Sequence, residues 1–219
     1  MSASSLRIGR VEHEVTVLGP GTRSVVWVAG CRLACPGCVT PELWDPEAGG
    51  VVAVERLADV LVAGAVDGVT LSGGEPFEQA EALAALICHI RARRPGLSVM
   101  AYSGYTRRTL ERRRDHGAAQ LLAQLDLLVD GRYVRGRHAA LRWRGSSNQT
   151  IHDLSGRHAV DLAAPDVPAG MHRHVLPGGQ LRFTGVPPVP EFRDRLAEAL
   201  ERDPPSGGGA IGTPPERAS

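Results

Sequence analysis

Apolar residues near the start of the chain alternate and then run together. From Val15 to Val28 an alternating stretch passes the break Gly19-Pro20-Gly21 and becomes continuous at Ser24–Val28, predicting a strand or hairpin that feeds the first buried strand. Val54 to Gly64 sets Leu57, Val60 and Leu61 at helical spacing. Gly68 to Ser72 is a short apolar run that ends in a glycine pair, as a strand does on entering a loop. The unit then repeats. Phe77 to Arg94 predicts a helix with Leu83, Leu86, Ile87 and Ile90 on one face, closed by Pro95-Gly96 before a strand over Leu97–Tyr102. Thr106 to Gln124 reads as one or two helices, and Leu125–Val129 as a buried strand capped by Asp130-Gly131.

Strands alternating with helices of this length predict an α/β fold, with a parallel sheet and helices packed outside it. In such folds the chemistry gathers beyond the C-terminal ends of the strands. Three segments of chemical character fall there: the cysteines after the first strand, Gly73-Gly74-Glu75-Pro76 after the second, and Ser103-Gly104-Tyr105 after the third. Past Ala164 the pattern changes. Arg173–Val175 and Gln180–Thr184 flank Pro177-Gly178-Gly179, a hairpin signal, and Pro190–Arg202 is a short amphipathic helix. The tail from Asp203 is rich in Pro, Gly and Ser, with hardly any apolar side chains. The expected organisation is a core over residues 1–164, a hairpin and helix packed on it over 165–202, and a disordered tail over 203–219.

Composition narrows the function classes. Of 219 residues 42% are hydrophobic and 22% charged, the balance of a soluble globular protein. A formal net charge of +1 leaves no global field to draw the chain to nucleic acid or to an anionic membrane. With 3 Trp, 3 Tyr and 3 Phe there are few aromatics to stack on bases, so no nucleic-acid partner is expected. No run of 18 apolar residues occurs, and MSASSLRIGRVEHE lacks the apolar core of a signal peptide, so a cytoplasmic location without membrane attachment is expected.

Three of the 4 cysteines crowd into eight positions, where disulfide geometry could not use them all. The spacing Cys31-x3-Cys35-x2-Cys38 supplies three thiolates from one loop, which suits a [4Fe-4S] cubane with one iron free of protein. Rival readings are a structural zinc site, which lacks a fourth ligand at suitable spacing, and clustered buried thiols. A third rival is a non-catalytic iron–sulfur electron carrier, for which Cys88 would have to be the fourth ligand. Cys88 reads more simply as a small apolar core residue on its helix.

CxxxCxxC followed by GGEP after the next strand resembles the radical S-adenosylmethionine (SAM) superfamily. Within it, five stretches resemble the anaerobic ribonucleoside-triphosphate reductase-activating proteins. They are GPGTRSVVWVAGCRLACPGCVTPELWD (Gly19–Asp45), VTLSGGEPF (Val69–Phe77), AYSGYT (Ala101–Thr106), LDLLVDGRY (Leu125–Tyr133) and RWRGSSNQTI (Arg142–Ile151). The resemblance runs to about residue 155. Gly37 stands where many superfamily members carry an aromatic residue, but Pro-Gly-Cys is usual in the activase group.

The resemblance implies a partial (β/α) barrel of radical SAM type. It further implies that Cys31, Cys35 and Cys38 hold the cluster and that SAM binds its open iron. One electron would then yield methionine and a 5′-deoxyadenosyl radical. The radical would take a hydrogen from a backbone glycine of a large glycyl-radical enzyme, the anaerobic ribonucleotide reductase being first choice. Gly37, Cys38 and Val39 would lie against SAM. Gly73 and Gly74 would admit backbone close to its amino group, and Glu75 would accept from a positive charge or else serve only as a helix-terminal carboxylate. Ser103 reads either as a wall of the SAM pocket or as a turn. Arg144 to Gln149 reads as turn-satisfying residues or as a docking site for the glycine loop. Arg107, Arg108, Arg112, Arg113 and Arg114 form a solvated face or receive an acidic donor such as flavodoxin or ferredoxin. The extra segment after residue 155 leaves open a radical SAM enzyme acting on a small-molecule or peptide biosynthetic substrate.

Overall fold

The first three strands at the centre of the sheet are each followed, before the next, by a helix that carries the chain back to the starting edge, so the next strand runs parallel. The computed structural model describes residues 4–176, 178 and 181–202. Its elements are β1 (Ser5–Val15), β2 (Arg23–Val28), β3 (Gly50–Ala53), α1 (Val54–Leu61), β4 (Gly68–Gly73), α2 (Ala80–Arg93), β5 (Ser98–Ser103), α3 (Arg107–Arg112), α4 (His116–Leu122) and β6 (Leu127–Asp130). Then come β7 (His138–Leu141), β8 (Arg144–Ser146), β9 (Thr150–Asp153), α5 (Ala159–Ala163), β10 (Met171–Val175), β11 (Leu181–Gly185) and α6 (Phe192–Arg202).

The main sheet has the order β3-β1-β2-β4-β5-β6-β9. β2, β4, β5 and β6 are parallel neighbours. β1 with β3 on one side and β9 on the other extend the sheet antiparallel. The fold is therefore α/β with a large sheet that is parallel at its centre, as the strand-helix alternation predicted. The antiparallel margins were not anticipated. β1 carries register shifts between Ile8 and Arg10 and between Glu12 and Val15. Such bulges take Leu6, Ile8, Val11 and Val15 off a strict period of two and hide the strand. β3, β7, β8 and β9 are too short to show a period.

Alternation along the central strands divides the core. Val26, Val28, Val69, Leu71, Val99, Ala101 and Leu128 point to one face and meet Leu57, Leu61, Leu83, Leu86, Ile87, Ile90 and Leu121 of α1, α2 and α4. At roughly 1.5–3 kcal/mol per fully buried large apolar side chain, this cluster is the main source of stability. Val25 and Trp27 of β2, with Met100, Leu127 and Val129, belong to two smaller clusters on the other face, and Tyr102 packs against both.

Arg23, at the start of β2, is fully buried. Its guanidinium donates to Thr70 Oγ1 (2.6 Å), Val69 O (2.7 Å), Ser98 Oγ (2.9 Å), Ser98 O (3.1 Å) and Pro20 O (3.0 Å). One side chain thus ties the first turns of three parallel strands. A Cβ at Gly68 would stand 2.4 Å from Arg23 Nη1, which is why glycine opens β4.

Cys88 corrects an expectation: it is exposed, not core. Leu86, Ile87 and Ile90 take the buried face of α2, and Cys88 lies outside, with Sγ 3.4 Å from Gln124 Oε1. In the C-terminal part β10 and β11 form an antiparallel pair from Met171↔Gly185 to Val175↔Leu181. Pro177, Gly179 and Gln180 of the predicted hairpin, and the predicted disordered tail, lie outside the described residues. Among the described residues no helix is long and apolar enough to cross a membrane.

Candidate functional site

Beyond Val28 the chain leaves the sheet as a loop closed at its base by two backbone hydrogen bonds, Gly30 N to Leu43 O (2.9 Å) and Cys31 N to Trp44 O (3.0 Å). Within it Cys38 N donates to Cys35 O at 3.0 Å, and Gly37 in that turn has φ +80°, a value favouring glycine. Thr40 Oγ1 donates to Gly73 O (3.2 Å) and lies 3.9 Å from Cys38 Sγ, joining the loop to the end of β4. Cys31, Cys35 and Cys38 line a cavity of about 820 Å³ together with Gly37, Val39, Gly73, Gly74, Glu75 and Ser103. Cys88 and the α3 arginines lie away from it. A second cavity, of about 750 Å³, opens near Pro20, Asp67, Arg94 and Ser98 and contains none of the candidate site residues.

Glu75 is the most constrained side chain at the site. It is 1% exposed, yet its carboxylate accepts from Phe77 N (3.0 Å), Ser103 Oγ (2.9 Å) and Gly104 N (2.8 Å). Burial pushes its pKa up to about 7, against the pull of those three donors. It therefore clasps the ends of β4 and β5, and this internal role is settled by geometry whatever else the carboxylate meets. The two glycines before it also answer to packing. At Gly73, φ is +106° and a Cβ would lie 2.4 Å from Val28 N. At Gly74 a Cβ would lie 2.3 Å from Gly30 O. Only bare backbone lets the β4 loop nest against the cysteine loop.

The donor set fits an iron–sulfur cluster. All three loop cysteines are free and partly buried. Burial raises the Cys31 thiol pKa, while backbone N–H groups of Leu33 and Ala34 lower it and Glu75 and Glu78 raise it further. Among the described residues no three His, Cys, Asp or Glu side chains converge tightly enough to hold one metal ion. Three thiols spread round a cavity match a polynuclear cluster, whose ligands sit on separate irons, better than a closed zinc site. The cavity also has room and polarity for a second ligand. Arg10, Trp44, Tyr102 and His138 line it; Trp44 Nε1, Tyr102 Oη and His138 Nε2 are buried without a hydrogen-bond partner, and Arg10 Nε lies 3.5 Å from Glu12 Oε1. Unmet buried polar groups are costly, so a polar ligand here would be favoured.

Sequence reading missed those four residues. Tyr102 was within reach, because in a strand it points opposite Ala101, but nothing marked which face held the cavity. In the Arg144–Gln149 segment side chains satisfy backbone groups, while Gly145 and Gln149 also line the cavity. Gln149 Oε1 accepts from Gly145 N (2.9 Å) and Ser146 N (3.1 Å), its Nε2 donates to Gly131 O (3.0 Å), and Asn148 Nδ2 donates to Arg132 O (2.9 Å).

Comparison with known proteins agrees with this geometry. The family model described as a 4Fe-4S single cluster domain matches residues 17–152. The anaerobic ribonucleoside-triphosphate reductase-activating protein of Salmonella typhi is 35% identical over 147 residues, which is 63% of this chain and 92% of that protein. Those of Vibrio cholerae serotype O1 and Enterobacteria phage T4 are 34% and 30% identical over 145 and 140 residues, with 90% and 86% of their lengths covered. The chain accordingly belongs to the family of 4Fe-4S anaerobic ribonucleoside-triphosphate reductase-activating proteins.

Proposed function

We propose that this protein is a radical SAM activase of anaerobic ribonucleoside-triphosphate reductase, with Cys31, Cys35 and Cys38 as cluster ligands. The observation that carries the reading is the convergence of three free thiols, the Gly73-Gly74 turn and unpartnered polar atoms on one cavity. A bound [4Fe-4S] cluster would supply one electron to SAM, giving methionine and a 5′-deoxyadenosyl radical that takes hydrogen from a glycine Cα of the reductase. The chain's own part is to hold and enclose. The nested glycines set the cysteine loop against β4, the Glu75 clasp fixes the adjoining strand ends, and Gly37, Val39 and Ser103 complete the wall facing SAM. In this reading the parallel centre of the sheet, with helices on one face and the cavity on the other, is the partial barrel of radical SAM type.

The reductant in this reading is an acidic flavodoxin or ferredoxin docked on α3 and the turn that follows it. Arg107 pairs with Glu111 and Arg113 with Asp115, whereas Arg108, Arg112 and Arg114 are exposed and have no partner among the described residues. Arg113 stacks on Tyr105, Tyr105 Oη donates to Glu78, and Glu78 faces Arg32 of the cysteine loop at 3.9 Å. Arg113 thus connects the patch, through Tyr105 and Glu78, to Arg32 of the cysteine loop.

The test is anaerobic mixing of reduced protein, SAM and the reductase. The expected result is an electron paramagnetic resonance doublet on the reductase that changes on α-deuteration of glycine, with deuterium transferred into 5′-deoxyadenosine. One observation favours a second reading, action on a peptide or small biosynthetic substrate: Met171, Phe183 and Phe192, all beyond the family match, also line the cavity. Deoxyadenosine formed in step with such a product, and no radical on the reductase, would select it.

A further inference from the structure

The family match ends at residue 152, yet the chain beyond it returns to the cavity. Thr184 of β11, 1% exposed, donates to Glu12 of β1, and Val186 just after it is buried. Phe183 meets Phe192 edge-on with ring centroids 5.1 Å apart, which fixes the start of α6 against the hairpin. From there two charged side chains reach the core. Glu191 pairs with Arg135 at 2.9 Å. Arg193 Nη1 donates to Val39 O at 3.0 Å and pairs with Glu42 Oε2 at 2.6 Å. Val39 and Glu42 belong to the cysteine loop, and Val39 directly follows Cys38.

We infer that residues 181–202 are a strap fastened over the cysteine loop, and that Arg193 is a positioning residue holding the segment that follows Cys38. Both charged pairs are partly exposed, and such pairs are weak alone. Here they act on a helix already held near the loop by the buried Thr184–Glu12 contact, so each closes intramolecularly at high effective concentration. A guanidinium gripping a backbone carbonyl and a carboxylate three residues apart in the chain restrains the loop in a way that a single ion pair does not. Phe192 and Arg193, at the start of α6, also line the cavity beside the three cysteines, so the strap narrows the approach of dissolved oxidant. This shielding rests on the reading that the three cysteines hold the cluster; the restraint of the loop does not.

Two measurements on the full chain decide it. In the apoprotein, hydrogen exchange over residues 38–44 should quicken by about two- to fivefold in Arg193→Ala, the opening expected for loss of one exposed charged contact. In anaerobically reconstituted protein, the same variant should hold wild-type iron, yet its visible absorbance should bleach in air faster by a similar factor. Arg193→Lys should recover part of both, and Arg193→Glu with Glu42→Arg should exchange more slowly than Arg193→Glu alone. Wild-type exchange in Arg193→Ala overturns the strap, and wild-type bleaching overturns its shielding. If the wild-type chain takes up no cluster, the reading of the cysteines has failed, and the exchange measurement still decides the strap.

Discussion

Ser103 Oγ donates to Glu75 Oε1 across 2.9 Å, joining the C-terminal ends of two neighbouring parallel strands beside the cysteine loop. The contact places an acid with a pKa near 7 in the wall of the cavity. Because the folded value is raised above the ordinary 4.5, this group's contribution to stability is fully present below about pH 4.5 and is lost as pH rises through about 7. Chemical denaturation of the apoprotein should show that slope, with an upper bound on the order of 3 kcal/mol. Glu75→Gln should flatten it; an unchanged slope would assign the dependence to another group.

Gly74 is held by sterics and Gly96 is not. A Cβ at Gly74 meets two carbonyl oxygens, at 2.3 Å and 2.9 Å, whereas nothing lies within 4 Å of one at Gly96. Gly74→Ala should lower stability by about 1–3 kcal/mol as the cysteine loop shifts, and Gly96→Ala should change it by about 0.5 kcal/mol or less. Thermal melts of the two apoproteins compare them directly.

Cys31→Ala, Cys35→Ala and Cys38→Ala should each lose the cluster after anaerobic reconstitution, while Cys88→Ala should keep about four irons and four sulfides per chain. Iron and sulfide analysis with visible absorbance reads the result. A stable cluster in Cys35→Ala would remove that residue from the ligand set.

Charge reversal on α3 and the turn after it should act on electron delivery alone. Arg108→Glu, Arg112→Glu and Arg114→Glu together should slow reduction by an acidic flavodoxin several-fold at low salt and weaken its salt dependence. Reduction by dithionite, which needs no docking, should keep its wild-type rate. Equal flavodoxin rates in both proteins at low salt would move the docking site elsewhere.

Much of the fold was legible because its information is local. The apolar runs of Ser24–Val28, Gly68–Ser72 and Leu97–Tyr102 and the helical period of Phe77–Arg94 mark the parallel centre, and the spacing of Cys31, Cys35 and Cys38 is contained in eight residues. Bulges erased that signal in β1, and short length removed it from β3 and β9.

What the sequence determined by itself was the parallel strands at the centre, the order in which they meet helices, and the chemical types placed at their ends. Only tertiary structure decided which of those ends share a cavity, and what each side chain meets there. The deciding contacts link residues far apart in the chain: Glu75 to Ser103 over 28 positions, Arg23 to Ser98 over 75, and Arg193 to Val39 over 154. No local period encodes such pairs. They form when sheet register and helix packing have already closed the loops between them, which is why the engaged state of Glu75, the exposure of Cys88 and the return of the C-terminal segment to the cysteine loop appear only in the folded chain.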